Sequence, residues 1–264
     1  MTTVSSSHRK SQPWTRNELI LAINLYCKIP FGTIHIRNPK IIELATLLGR
    51  TPGSVSYKLA NFASIDPTLD RKGAAHTSKL DRDVWAEFFN NWEEMAYESE
   101  SQMAALKKEP LHDADGNGIY PDNHVGDDAL RLVKTRVNQQ FFRHMILSTY
   151  DNRCCITGLS VPDLLVASHI VPWAQDKKNR LNPSNGLCLN ALHDKAFDRH
   201  LISLSDDFKV MVSPRLKEYR EVTDDAGYRF LMESEGKEIR LPRRFLPDVG
   251  LVRRHRGLSS DPYR

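Results

Sequence analysis

No run of apolar residues in this 264-residue chain is long enough to cross a bilayer, so no membrane association is expected. Met1 to Ser11 supplies Ser, His, Arg and Lys but no apolar core of the kind a secretory signal needs, and a flexible tail is expected over 1–13. Cysteine is scarce. Cys154 and Cys155 are adjacent and point to opposite sides of an extended chain; with only Cys27 and Cys188 besides, a disulfide framework is not expected and a reducing, cytoplasmic setting is. Charge of one sign is not in large excess either. Lys and Arg number 37 against 33 Asp and Glu, a formal +4, which permits nucleic-acid binding without requiring it. There is no internal repeat and no low-complexity segment beyond the tails.

What is present falls into two halves. Residues 14–100 read as a helical domain. Leu19, Ile20, Ile23, Leu25 and Tyr26 supply a first helix, opened by Thr15 as N-cap with Glu18 three residues on and ended by Pro30. Pro39 starts a second that carries Ile41, Ile42, Leu44, Leu47 and Leu48 and is closed by Gly49. Thr51 and Pro52 start a third with Val55, Tyr57, Leu59 and Phe62. Two helices joined by a tight glycine turn, the second bearing Ser54, Ser56, Lys58 and Asn61, make the helix-turn-helix pattern, and those four residues are the candidate DNA contacts. A helical oligomerisation or partner-binding domain is the alternative for this half. Asp66 to Ser78, with Arg71, Lys72 and Gly73, reads as a loop or wing, followed by a helix from Lys79 to about Glu100. Glu93, Glu94, Glu98 and Glu100 read as its solvated end rather than as a metal site.

Residues 101–127 turn polar and are punctuated by Pro110, Gly116, Gly118, Pro121 and Gly126, the composition of a linker. A helix from about Asp128 to Tyr150 opens the second half, 128–264. Thr157 and Gly158 then read as a hairpin corner, Leu164 to Ile170 as a strand, Asn179 to Asn185 as a loop and Leu187 to Phe197 as a helix. The tail from Lys237 to Arg264, with Arg243, Arg244, Arg253, Arg254 and Arg256, could wrap DNA or cover the second domain.

The informative segment has Ser168-His169-Ile170-Val171-Pro172-Trp173, then Asn185-Gly186-Leu187, then His193-Asp194 and Phe197-Asp198. In order and spacing it resembles the HNH nucleases, over about residues 128–215. The resemblance implies an α+β chain: an N-terminal helical domain, helix-turn-helix or winged-helix-like, and a C-terminal ββα-metal nuclease domain. It implies a phosphodiester hydrolase acting on DNA, with His169 as a general base of near-neutral pKa. Asn185 would orient that imidazole or the loop around it. His193 and Asp198 are the expected metal ligands. The metal is expected to be Mg2+ or Mn2+, held largely by water and phosphate oxygens, and no structural zinc is expected because two cysteine pairs of the usual spacing are absent. On an ideal helix the five-residue step from His193 to Asp198 turns through about 500°, leaving the two roughly 140° apart unless the helix ends near Phe197.

The chain departs from the family at Ser168, where many HNH sites have Asp or His before the base. Asp194 is the next candidate ligand, and His200 a weaker one. Cys154, Cys155 and Cys188 read as buried thiols, Trp173 as core, and Arg180, with Lys177 and Lys178, as a phosphate contact. The biological role implied is a restriction or phage-defence enzyme, possibly modification-dependent. Two copies acting on opposite strands make a homodimer the expected partner arrangement. The competing class is a catalytically inactive DNA-binding regulator that keeps an HNH fold.

Overall fold

Thr15 caps the first helix as its spacing predicts: its hydroxyl accepts from the Glu18 backbone N–H while its own N–H donates to the Glu18 carboxylate at 2.9 Å. In this computed structural model residues 12–69, 76–113, 117–119, 127–219 and 225–258 are described. The tail over 1–11, Arg71, Lys72 and Gly73 of the expected wing, Gly116, Pro121 and Gly126 of the expected linker, and 259–264 lie outside the described residues. Gln12 and Pro13, expected as the end of the tail, are held by the buried Arg50 guanidinium, which donates to both their carbonyls. The chain divides into two compact units, Met1–Met145 and Ile146–Arg264.

In the first unit α1 (Arg16–Lys28) is buried on every side from Leu19 to Cys27 and packs against α2 (Pro39–Leu48), α3 (Pro52–Ile65), α4 (Lys79–Asn90) and α5 (Trp92–Lys107). A helix buried all round needs its polar groups satisfied. Asn24 donates accordingly to Ser99 Oγ at 2.7 Å and Glu100 Oε1 at 2.6 Å. Gly49 closes α2 at φ 62°, a left-handed conformation that glycine adopts without strain, and Thr51 caps α3.

Where the pattern predicts one helix over 79–100, two form. The chain breaks at Asn91, a weak helix former, at φ −137° and ψ 58°, and Trp92 packs edge-on to Phe88 and Phe89. The second helix runs on to Lys107, into the stretch expected as linker, and β1 (Leu111–His112) pairs with β2 (Gly118–Ile119) within it. The boundary between the units instead falls within α6 (Asp127–Thr149). The acidic run on α5 is not simply solvated: Glu98 pairs with Arg16, Glu100 with Lys28 and Glu94 with Lys134.

The helix-turn-helix geometry does not present all four candidate DNA contacts. Ser54 and Ser56 are half-buried, but Lys58 and Asn61 are buried. Lys58 Nζ is 2.7 Å from Asp81 Oδ1, with side chains 9% and 1% exposed, so its charge is committed to α4 and withheld from a phosphate. Lys58→Ala should therefore cost about 3 kcal/mol of stability by stranding a buried carboxylate. Urea unfolding checks this; an unmoved midpoint together with weakened DNA binding would return Lys58 to the surface role.

The second unit is built on a hairpin, β3 (Leu165–His169) antiparallel to β4 (Gly186–Asn190), in a register that sets His169 opposite Gly186. The short helix α7 (Ala191–Asp198) packs across both strands. The strand expected over Leu164 to Ile170 forms, but its hairpin partner is Gly186–Asn190, so that Leu187–Asn190, expected as the start of the helix, is strand. All five β4 residues are buried, and Asn190 starts the helix by accepting from the Leu192 and His193 N–H groups. Thr157 and Gly158, expected as a hairpin corner, form a tight turn that does not join two strands: Gly158, at φ 77°, donates its N–H to the Cys154 carbonyl at 2.8 Å, and the first strand of the unit begins at Leu165. β5 (Ile202–Leu204), β6 (Val210–Val212), α8 (Pro214–Glu218), α9 (Ala226–Met232) and α10 (Val249–Gly257) complete the unit. The basic tail covers this unit as far as it is described: Arg244, Leu251, Val252 and His255 are buried, and Arg253 and Arg256 pair with Asp206. Among the described residues no helix is long and apolar enough to cross a membrane.

Candidate active site

His169 ends β3, half-buried, with Nε2 2.9 Å from the Arg180 carbonyl oxygen. A carbonyl only accepts, so Nε2 carries the proton and Nδ1 is the atom able to take another. Burial lowers the His169 pKa, with the Arg180 carbonyl opposing, so the ring is neutral at physiological pH. Trp173 lies edge-on to the ring at 5.6 Å rather than in a separate core. Arg180 Nε donates to the Trp173 carbonyl at 2.9 Å and its guanidinium sits 5.2 Å from the Trp173 ring. Arg180 is thus engaged with the loop that it was expected to offer to phosphate.

Asn185 is fully buried and spans the loop that follows His169. Its Oδ1 accepts from Val171 N at 2.8 Å, and its Nδ2 donates to the carbonyls of Val171 at 3.1 Å and Asn179 at 3.0 Å. Its backbone carbonyl accepts from Ile170 N at 2.8 Å. Of the two roles open to Asn185, these bonds fit the loop clamp; the imidazole is oriented by the Arg180 carbonyl.

α7 carries both expected ligands, His193 and Asp198, and Asp194 between them. His193 is fully buried, 4.9 Å from the Phe230 ring. Asn190 Oδ1 is occupied by two backbone donors, so its Nδ2 faces His193 Nδ1, at 2.9 Å, and donates to it. That uses the lone pair on Nδ1 and leaves Nε2 buried with no hydrogen-bond partner. Burial, reinforced by Lys237, lowers the His193 pKa to about 4.

Asp194 and Asp198 are the pair that share a face, four residues apart. Burial raises both pKa values; for Asp194 the Ser168 hydroxyl opposes this and Asp198 reinforces it. Two carboxylates disfavouring their own charge are a donor set that a divalent cation would relieve. No group of three His, Cys, Asp or Glu able to hold a metal occurs among the described residues.

Sequence reasoning passed over Asn190, Asp176 and His255. The first has a local signal, an Asn just before a helix; so does the second, an Asp ahead of a tight turn. His255 has none. It stacks on Phe197 at 3.8 Å, with Nδ1 2.7 Å from Ser203 Oγ and Nε2 3.1 Å from the Phe197 carbonyl. Burial, then His200, pull its pKa down to about 3. His255 is held neutral in the fold and takes up a proton on unfolding below an ordinary pKa of about 6.5. Its contribution to stability is full above that value and is lost as pH falls from about 6.5 toward 3, at up to about 1.4 kcal/mol per unit. Unfolding midpoints measured between pH 7 and 4 should fall less steeply in His255→Phe than in the wild type; equal slopes would remove His255 as the cause.

Cys154, Cys155 and Cys188 are buried and form no disulfide, with the Cys155 pKa raised by burial. Residues 154–205 match the family HNH_2, described as HNH endonuclease, a segment that contains His169, Asn185, His193, Asp194 and Asp198. No curated protein sequence matches the chain.

Proposed function

From the HNH endonuclease domain at residues 154–205, we propose that this chain is a metal-dependent DNA endonuclease in which His169 is the general base. The observation that carries this is the His169 ring, held neutral by burial and with its Nε2–H donating to the Arg180 carbonyl, which makes Nδ1 the basic nitrogen. Asn185 keeps the loop at the spacing which puts that carbonyl under the ring.

Asp194 and Asp198 are the residues that would hold Mg2+ or Mn2+, a sparse set suited to ions that keep waters and bind substrate phosphates. When bound, such an ion supplies neutralisation of the charge that develops on phosphate and leaving oxygen. Asp198 was expected in this role; His193, expected beside it, keeps an unpartnered buried Nε2 and stays a candidate ligand. The first unit would select DNA through the exposed side of α3, with Ser54 and Ser56 rather than Lys58 or Asn61. A restriction or phage-defence role, possibly with a requirement for modified bases, fits a reader joined to a cutter. Cutting both strands would take two copies, so a homodimer belongs to the proposal; ultracentrifugation showing monomer alone, with and without DNA, would count against it.

Incubation of the purified protein with methylated and unmethylated plasmid, with Mg2+ or Mn2+, tests the reading beside Asp194→Asn and His169→Ala. Cleavage by wild type that needs the ion and is lost in both variants is the expected result. No cleavage with either ion on either plasmid would favour the second reading, a DNA-binding regulator, whose support is Ser168 in the position before His169.

A further inference from the structure

The loop that fixes His169 is itself held by a helix that lies outside the matched segment. We propose that Arg254, on α10, is a positioning residue for His169, acting through Asp176 and Asn179; this rests on the reading of His169 as the base.

The connection is a continuous set of hydrogen bonds. Arg254 Nη1 donates to Asp176 Oδ2. The Asp176 side chain is 11% exposed and that of Arg254 49%. It shapes the turn over Lys177–Asn179, Oδ1 accepting from the N–H groups of Lys178 and Asn179 at 3.2 Å each and Oδ2 from Asn179 Nδ2 at 2.9 Å. Asn179 in turn presents its carbonyl to Asn185 Nδ2 at 3.0 Å and its Oδ1 to Asn182 Nδ2 at 2.8 Å. The next residue is Arg180, whose carbonyl receives the His169 proton. The atom that decides which imidazole nitrogen stays basic is thus one peptide unit from a turn organised by the Asp176 carboxylate, and Arg254 is the cation on that carboxylate.

The far end of the set is anchored. Leu251, Val252 and His255 of α10 are buried, and His255 is held by Ser203 and the Phe197 carbonyl. Asp248, the N-cap of α10, donates its backbone N–H to the Ser184 carbonyl at 2.9 Å, just ahead of Asn185. A freely moving surface arginine would add little to an exposed carboxylate. Arg254 instead joins a seated helix to a carboxylate shielded by its own turn.

The test uses the full chain. Arg254→Ala should lower kcat for plasmid cleavage by about 10- to 100-fold, the cost of a base set slightly out of place, with KM within about twofold. Arg254→Lys should recover most of the loss. In nitrogen-15 spectra of the protein without DNA or metal, His169 should be the Nε2–H tautomer in wild type and a mixture in Arg254→Ala. Asp176→Asn, which keeps the turn acceptor but removes the charge, should give the same mixture if Arg254→Ala is poorly folded. Unchanged kcat, a rise in KM alone, or a pure Nε2–H tautomer in both variants would overturn the proposal. A wild type that cuts nothing would sink the base reading, while the tautomer spectra would still decide whether Arg254 governs the ring.

Discussion

His169→Ala lowers the single-turnover rate of DNA cleavage by about 10²- to 10⁴-fold, the range spanned by loss of a general base, and leaves DNA affinity in place. The substitution removes the hydrogen bond to the Arg180 carbonyl and the edge contact with Trp173, at about 1–3 kcal/mol of stability. Activity and folding are therefore expected to separate at this position. The pH profile carries the same assignment. A base must be unprotonated to act, so the wild-type rate rises with pH through the His169 pKa, which burial holds below the ordinary imidazole value. The acid limb should lie below about pH 6.5 and be level by neutrality. A variant that still cuts at the wild-type rate, or a limb centred well above that value, would remove His169 from the role.

Asn185→Ala is expected to lose both fold and function. The side chain serves three loop groups, Val171 N, Val171 O and Asn179 O, in a site with no exposure. Alanine leaves a buried donor and two buried acceptors without it, at about 1–3 kcal/mol for each left unsatisfied, so a loss of about 3 kcal/mol is a conservative figure. Thermal unfolding should move down by on the order of 10 °C. Asn185→Asp is the sharper control. It keeps the acceptor for Val171 N but turns a carboxylate oxygen toward two carbonyls, so it should be no more stable than the alanine variant. If either substitution leaves the unfolding midpoint unchanged while abolishing cleavage, Asn185 acts on substrate rather than on the loop.

The caps of the first unit could be read directly because their chemistry is local. Thr15 with Glu18, Pro39, Gly49 and Thr51 each act within four residues, and the structure has them where their spacing puts them. The parts that escaped reading depend on partners distant in the chain. Lys58 and Asn61 look like surface residues until Asp81, 23 positions on from Lys58, is seen to neutralise that lysine inside the fold. The short apolar run Gly186-Leu187-Cys188-Leu189 suits a buried strand or a helix equally, and pairing with β3 decides it. The order of Ser168-His169, Asn185 and His193-Asp194 pointed to the right segment. Which α7 side chain looks toward the hairpin did not follow from that order, because Asn190 both starts the helix and captures His193. The pair of Asp176 and Arg254, 78 positions apart, has no sequence signal at all.

The buried thiols are distributed so that each compact unit reports on its own opening. Cys27 lies in the first unit, and Cys154, Cys155 and Cys188 lie in the second, every one buried and none in a disulfide. A thiol-reactive dye meets no accessible sulfur in the native protein, so each sulfur that it labels records an opening event in the unit that carries it. Peptide mapping of the labelled sites then clocks the two units separately in one sample, without a single engineered residue.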